Sequence, residues 1–383
     1  MSTNKIAGLD HLRALAITLV FLFHYRLFAH PEWVDTIGSF GWTGVDLFFV
    51  LSGYLIASQV FSRLKARDFF ISDFFISRFF RIIPVYLLVL TLYFTLPAFR
   101  EWEHLAPLWK YVTFTQNLGL DLRTQRTFSH AWSLCIEEQF YLLFPLIAAG
   151  AAVAAARTGV YLVLFLFIAG FAARWLSWAY LAAPLQGTGE FGANWYKWIY
   201  YPTYNRLDGL LTGITIAGIM NYYPVAAAFM LRHSRALLFT GLGLLTGAYY
   251  LCRQQQSFSA SVFGFPLVSI GFGFVAAASI GPQASLSTRV LVITGPIAAW
   301  SYSLYLIHKA VIHFVQEHCS LLGLDKEGTP VFWLGAAACC VTAAALYYTV
   351  ERPFMRIRKM LLKKRAAKRI LVADATNVAA PTL

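Results

Sequence analysis

An arginine and a histidine share one apolar run, GLDHLRALAITLVFLFHYRLFAH, residues 8–30. Arg13 and His24 lie eleven residues apart, about 16 Å of rise on a helix. The run is long enough to cross a bilayer, and ionisable groups inside such a segment face the protein interior or a wet cavity. The pair therefore offers a fixed cation toward one membrane face and an imidazole toward the other. Held beside an acid, that imidazole is a general base poised near neutral pH. A plainer arrangement is also open, in which Arg13 reaches out to its interface and His24 is a packing residue.

Other ionisable residues recur at matching depths. Asp46 lies in FGWTGVDLFFVLSGYLIASQ (40–59), where Ser52 and Gly53 form a small pair that permits close helix contact. SHAWSLCIEEQFYLLFP (129–145) carries Glu137 and Glu138, about 8 Å below its outer boundary. Glu137 shares a helix face with Tyr141. Arg174, then Arg206 and Asp208 in YNRLDGLLTG (204–213), and His308 in SYSLYLIHKAVIH (301–313) fall in the same outer third. At the opposite face lie Arg13, Arg78, Arg81, Glu351 and Arg352. The spacing of Arg78 and Arg81 sets two guanidinia along one helix edge, suited to phosphates, and also to plain positive-inside anchoring. Some of the outer charges can neutralise one another, Arg206 with Asp208 or Arg174 with a carboxylate.

The elements that must position these groups are transmembrane helices. Of 383 residues, 58% are hydrophobic and 13% charged, well outside the range of an ordinary soluble domain. Long unbroken apolar runs, not alternating strands, make the class all-α. The expected fold is a polytopic membrane protein with about ten spans, near 9–29, 38–61, 77–97, 132–152, 158–181, 204–222, 236–252, 261–281, 291–316 and 331–351. With the N-terminus in the cytoplasm, the inner segments hold 19 Lys and Arg and the outer segments 8. This asymmetry places both termini inside and accounts for the net charge of +13 without nucleic acid. A transmembrane domain over 1–358 and a basic cytoplasmic tail over 359–383, attracted to anionic lipid headgroups, are expected. The 98–131 segment, mixed in polarity and rich in aromatics, suits an outer lid or acceptor platform.

Several classes are disfavoured. The first run is too long and too charged for a cleavable signal peptide. The five cysteines contain no CxxC pattern and two are adjacent within a span, so structural disulfides are not expected. His308, His313 and His318 are spaced by five and cannot share a helix face, so no metal site is expected there.

In this order, Arg13-x10-His24, GVDLFFVLSGYLI (44–56), RFFRIIP (78–84), WSLCIEEQFYLLFP (132–145), TYNRLDGLLTG (203–213), SYSLYLIH (301–308) and VERPF (350–354) resemble the acyltransferase-3 family of integral membrane O-acyltransferases, over about residues 6–358. Cys135 stands where the family usually has serine. Some relatives carry a further C-terminal hydrolase-like domain outside the cytoplasm, and the resemblance here is to the stand-alone form.

The resemblance implies transfer of an acyl group, most often acetyl, from cytoplasmic acyl-CoA to a hydroxyl, commonly on a bacterial surface glycan. It places the protein in a bacterial inner membrane, with no metal. Arg13, Arg78 and Arg81 would then hold the CoA phosphates. His24 would deprotonate the acceptor, oriented or charged by Glu137, with Glu138 and Asp46 as further acid/base candidates. Trp132, Ser133, Tyr141, Arg206, Asp208 and His308 would contact substrate. A proton-coupled transporter or flippase would use similar intramembrane groups. Against that alternative, the chain has no repeated half with paired broken helices.

Overall fold

A computed structural model describes residues 7–153, 156–281 and 288–378. Lys5, counted among the inner cations above, lies outside these residues. The described chain is helical with no strand. Its longer helices are α1 (Ala7–Tyr25), α2 (Gly44–Lys65), α3 (Ile71–Thr95), α4 (Trp132–Val153), α5 (Ala156–Ser177) and α6 (Asp208–Tyr222). They continue with α7 (Ser234–Leu251), α8 (Phe265–Ile280), α9 (Thr288–His318), α10 (Thr329–Leu346) and α11 (Arg352–Val378).

Seven stretches among the described residues are long and apolar enough to cross a membrane, which makes this a membrane protein. An eighth arises if Asp208–Tyr222 and Pro224–Arg232 count as one span broken by a 111° bend. The bend falls where Pro224, lacking an N–H, begins a new helix after Tyr223. The expected number was about ten. Segments 132–152 and 236–252 are helical, as α4 and α7, but are not among the seven.

Apolar side chains fill the core and also cover much of the exterior, as a lipid solvent requires, and the ionisable groups within the spans turn inward. Leu143, Phe165, Phe239 and Ile293 face outward, while Arg174, Arg206, His308, Lys309 and Glu351 are almost completely buried. Helix α1 packs against both α2 and α9. The tightest seam joins α2 to α6. A Cβ on Gly53 would run into the Leu210 carbonyl, and one on Gly213 into the Val50 carbonyl. Only glycine lets these backbones touch, and Gly209 and Gly213 form the small-xxx-small pattern of membrane helix pairs.

Helix α3 begins six residues before the expected 77. Arg78 therefore stands seven rises inside its helix, about 10 Å from its start. The interfacial stretch before it belongs to the same helix. Its Asp73 is clasped by Arg365, at 2.8 Å, and by Arg369 of α11, which docks the basic C-terminal helix against α3.

Candidate functional site

Helix α9 contributes three side chains to the site, Ser303, Tyr305 and His308, spread over more than one of its faces. Ser303 donates to Glu351 Oε2 at 2.8 Å, and Arg81 pairs with the other oxygen of that carboxylate. Glu351 closes a π-helical turn, Tyr347–Glu351, just before Arg352 and Pro353; such turns re-aim side chains. Two residues on, Tyr305 donates to the His130 carbonyl at 2.5 Å, and its hydroxyl lies 2.6 Å from Ser133 Oγ. His308 Nε2 meets His24 Nδ1 at 2.9 Å. From Ser303 to His308 is five residues, about 7.5 Å of rise.

His24, His130 and His308 form one cluster. Ring centroids are 4.9 Å apart for His24–His308 and for His130–His308, and 5.8 Å for His24–His130. All three rings are buried. Beside them Lys309 Nζ reaches Glu101 Oε1 at 2.8 Å, and that oxygen also accepts the Phe128 N–H. Glu101 belongs to the 98–131 segment, which this ion pair ties to α9.

Above the cluster is a cavity of about 1100 Å³ lined by His24, His130, Lys309, Trp42, Trp132, Tyr196, Tyr200 and Tyr201, and by residues 100–104, 122–124 and 126. Arg126 lies 3.9 Å above the Trp102 ring in its wall. Aromatic faces and charged or hydroxyl side chains line it in comparable number, so it offers both apolar and polar contacts to a ligand.

Below the histidines, Ser52 donates to Glu137 Oε1 at 2.7 Å, and Tyr141 reaches the other Glu137 oxygen at 3.3 Å. The Arg78 guanidinium lies 5.7 Å from the Tyr141 ring, with no hydrogen-bond partner for its buried Nε. Arg13, 3.6 Å from Asp10, is within electrostatic reach of Arg78, Arg81 and Tyr141. Glu138 is within similar reach of Arg78. The expected two layers thus join in one column: Arg13, Arg78 and Arg81 lie within electrostatic reach of one another, Arg13 and Arg78 of Glu137, and Glu137 of Tyr305, which packs against His130 and His308.

The structure departs from expectation in its partners. His24 was paired with Glu137, but its hydrogen bond goes to His308, while the Glu137 oxygens go to Ser52 and Tyr141. Tyr141 and Glu137 share a face of α4, and that face hydrogen-bonds Ser52 of α2, not His24 of α1. Arg206 and Asp208 do not pair with each other: Arg206 meets Asp46 at 2.9 Å and Arg174 meets Asp208 at 2.7 Å. Arg206 also lies 4.0 Å over Phe265 and 5.6 Å from Trp132. These four charges form a buried crossed set behind Trp132 and Tyr200, none of them among the cavity-lining residues.

Sequence reasoning overlooked His130 and the Lys309–Glu101 pair. A signal existed for the second: a lysine inside a long apolar helix requires a carboxylate, and the outer 98–131 segment holds few. Among the described residues no group of three His, Cys, Asp or Glu side chains is set to hold a metal ion.

Comparison with known proteins adds an independent line. The family model described as "Acyltransferase domain" matches residues 6–349. A Staphylococcus aureus (strain COL) protein with the name "Putative O-acetyltransferase SACOL0978" is 27% identical over 92% of this chain and 57% of its own length. The O-acetyltransferase OatA of Staphylococcus aureus (strain NCTC 8325 / PS 47) is 27% identical over 83% of this chain and 52% of its own. The chain thus spans little more than half the length of the curated relatives it matches. No solved structure matches it.

Proposed function

Because the chain belongs to the acyltransferase family whose model matches residues 6–349, we propose that it is a membrane O-acyltransferase. In this reading it moves an acyl group, acetyl by analogy with the names of its relatives, from cytoplasmic acyl-CoA to a hydroxyl of an extracytoplasmic glycan. The observation that carries the reading is the column of polar side chains through an apolar bundle, cationic at Arg13, Arg78 and Arg81 and ending at His24 beneath an aromatic cavity.

The arginines offer charge-assisted hydrogen bonds to the CoA phosphates. Arg78 has the freest guanidinium, whereas Arg81 already holds Glu351. The thioester arm would pass Tyr141, Glu137 and Ser52 to reach His24. There the imidazole takes the acceptor's hydroxyl proton as the new C–O bond forms and the C–S bond breaks. The proton then goes to the departing thiolate. A thioester is already activated, so positioning and deprotonation lower most of the remaining barrier. Trp132 and Ser133 line or adjoin the acceptor space, and the Asp46, Arg206 and Asp208 set stiffens the wall behind it.

The reading places both termini in the cytoplasm of a bacterial inner membrane, with the basic tail from 359 near anionic lipid. It is tested by incubating purified protein with acetyl-CoA and a panel of glycans, following thiol release and product mass. Acceptor-dependent thiol release with acetylated product supports it. Uptake of an intact solute into vesicles without thiol release would replace the enzyme by a transporter.

A further inference from the structure

The hydrogen bonds around His308 fix where protons sit on two histidines. His308 Nδ1 faces two backbone carbonyls of its own helix, Leu304 O at 3.1 Å and Tyr305 O at 2.8 Å. A carbonyl oxygen can only accept, so Nδ1 carries the hydrogen, and Nε2 of the neutral ring is left as an acceptor. The atom in front of that lone pair, at 2.9 Å, is His24 Nδ1, which must therefore donate. In neutral His24 the remaining lone pair is then on Nε2, which has no protein partner among the described residues, on a side chain that lines the cavity.

We propose that His308 is a positioning residue, which holds His24 in the Nδ1–H tautomer so that Nε2 is the basic atom presented to the acceptor hydroxyl. This rests on the acyltransfer reading above and deepens it. In hydrolase triads a carboxylate performs this duty. Here the nearby carboxylate, Glu101, is already engaged by Lys309 and the Phe128 N–H, and a second imidazole takes the place. When His24 gains the acceptor's proton, its positive charge meets the His308 lone pair. Behind that ring stand the Leu304 and Tyr305 carbonyl dipoles, aligned to receive charge through Nδ1–H. The relay works without a net negative group in a buried region.

Two measurements test it. The first is kinetic, with acetyl-CoA and the methyl hexoside that the native protein acetylates fastest. His308→Leu removes the acceptor of the Nδ1–H and should lower kcat by roughly 100-fold or more. KM for acetyl-CoA should stay within about twofold. His308→Gln, whose Oε1 can accept the same hydrogen, should recover at least about tenfold of that loss. Folding of each variant is checked by thermal unfolding and acetyl-CoA binding. The inference is overturned if folded His308→Leu keeps kcat within about threefold of native, or if the Gln variant is no better than Leu.

The second measurement needs no activity. Nitrogen NMR of histidine-labelled protein, with His24 assigned by loss of its signals in His24→Ala, should show hydrogen on Nδ1 and a bare Nε2. A hydrogen on Nε2 overturns the inference whatever the acylation assay shows. If the native protein acetylates nothing while the tautomer is as stated, it is the acyltransfer reading that falls.

Discussion

Lys309 and Glu101 meet at 2.8 Å with both side chains essentially out of solvent, joining α9 to the outer segment 208 residues before it. Neither charge has room to be left alone. Breaking such a pair from one side costs about 3–5 kcal/mol, because the survivor is buried uncompensated. Glu101→Gln should therefore lower the unfolding temperature clearly and loosen the 98–131 segment toward proteases. The double variant Lys309→Met/Glu101→Leu should recover much of the loss. Unfolding temperatures of the three proteins in one detergent decide the matter, and a silent Glu101→Gln refutes it.

His24→Ala should abolish transfer while leaving the bundle folded. The side chain removed is one member of a three-ring cluster, so packing loss is limited and the missing function is proton transfer. Near-normal acetylation by the folded variant would exclude His24 as the base.

Arg78→Ala should raise KM for acetyl-CoA, with a cost of roughly 1–3 kcal/mol for lost charge-assisted contacts. Acetyl-pantetheine, which lacks the adenosine diphosphate portion, should be used equally by both proteins. Arg78 is a cleaner probe than Arg81, whose removal also strands the buried Glu351 carboxylate. Equal acetyl-CoA affinity in native and variant protein would return Arg78 to a topology signal.

Asp121, in the outer segment, accepts from the Arg123 side chain at 2.6 and 3.0 Å and from its backbone N–H at 3.0 Å. Hydrogen bonding to Arg123 holds its carboxyl down to about 2, against an ordinary value of 3.8. A carboxyl lowered in the folded state contributes stability that is complete above the ordinary value and is lost as pH falls toward the lowered one. Native protein should thus exceed Asp121→Asn in unfolding temperature at pH 6, and the gap should close between about pH 4 and 2. A gap that is constant across this window would show that the carboxylate is not the group at work.

Sidedness tests the column as a whole. In sealed vesicles of known orientation, acetyl-CoA should be consumed only from the cytoplasmic side, with acetylated glycan forming on the other. A cysteine placed at 81 should react with an impermeant reagent from inside, and one placed at 124 from outside. Donor and acceptor acting from one side would dismiss transmembrane chemistry.

Helical class and the placement of Arg13 and His24 on one helix were legible because apolar length and spacing are properties of one segment. Partners were harder. Spacing tells which face of its own helix a side chain occupies, not how that helix is rotated against its neighbours. Glu137 and Tyr141 were rightly set on one face, yet that face meets Ser52 of α2 and leaves His24 to His308. Arg206 and Asp208, two residues apart, point to different helices and pair with Asp46 and Arg174. The start of α3 was set six residues late because the interfacial stretch beginning with a polar ISD continues the helix without a break. Gly53 was the exception, since a small residue beside Ser52 already advertised close contact.

Ser303, Tyr305 and His308 ride on a single unbroken stretch of α9, and each grips a different part of the column. A turn or slide of that helix is transmitted to all three grips together. The Glu351 carboxylate and the His24 ring thus behave as two ends of one lever, and neither can be retuned by itself. Any sequence change that alters how the arginine end is handled must keep the azimuth of α9, or the imidazole at the far end loses its partner.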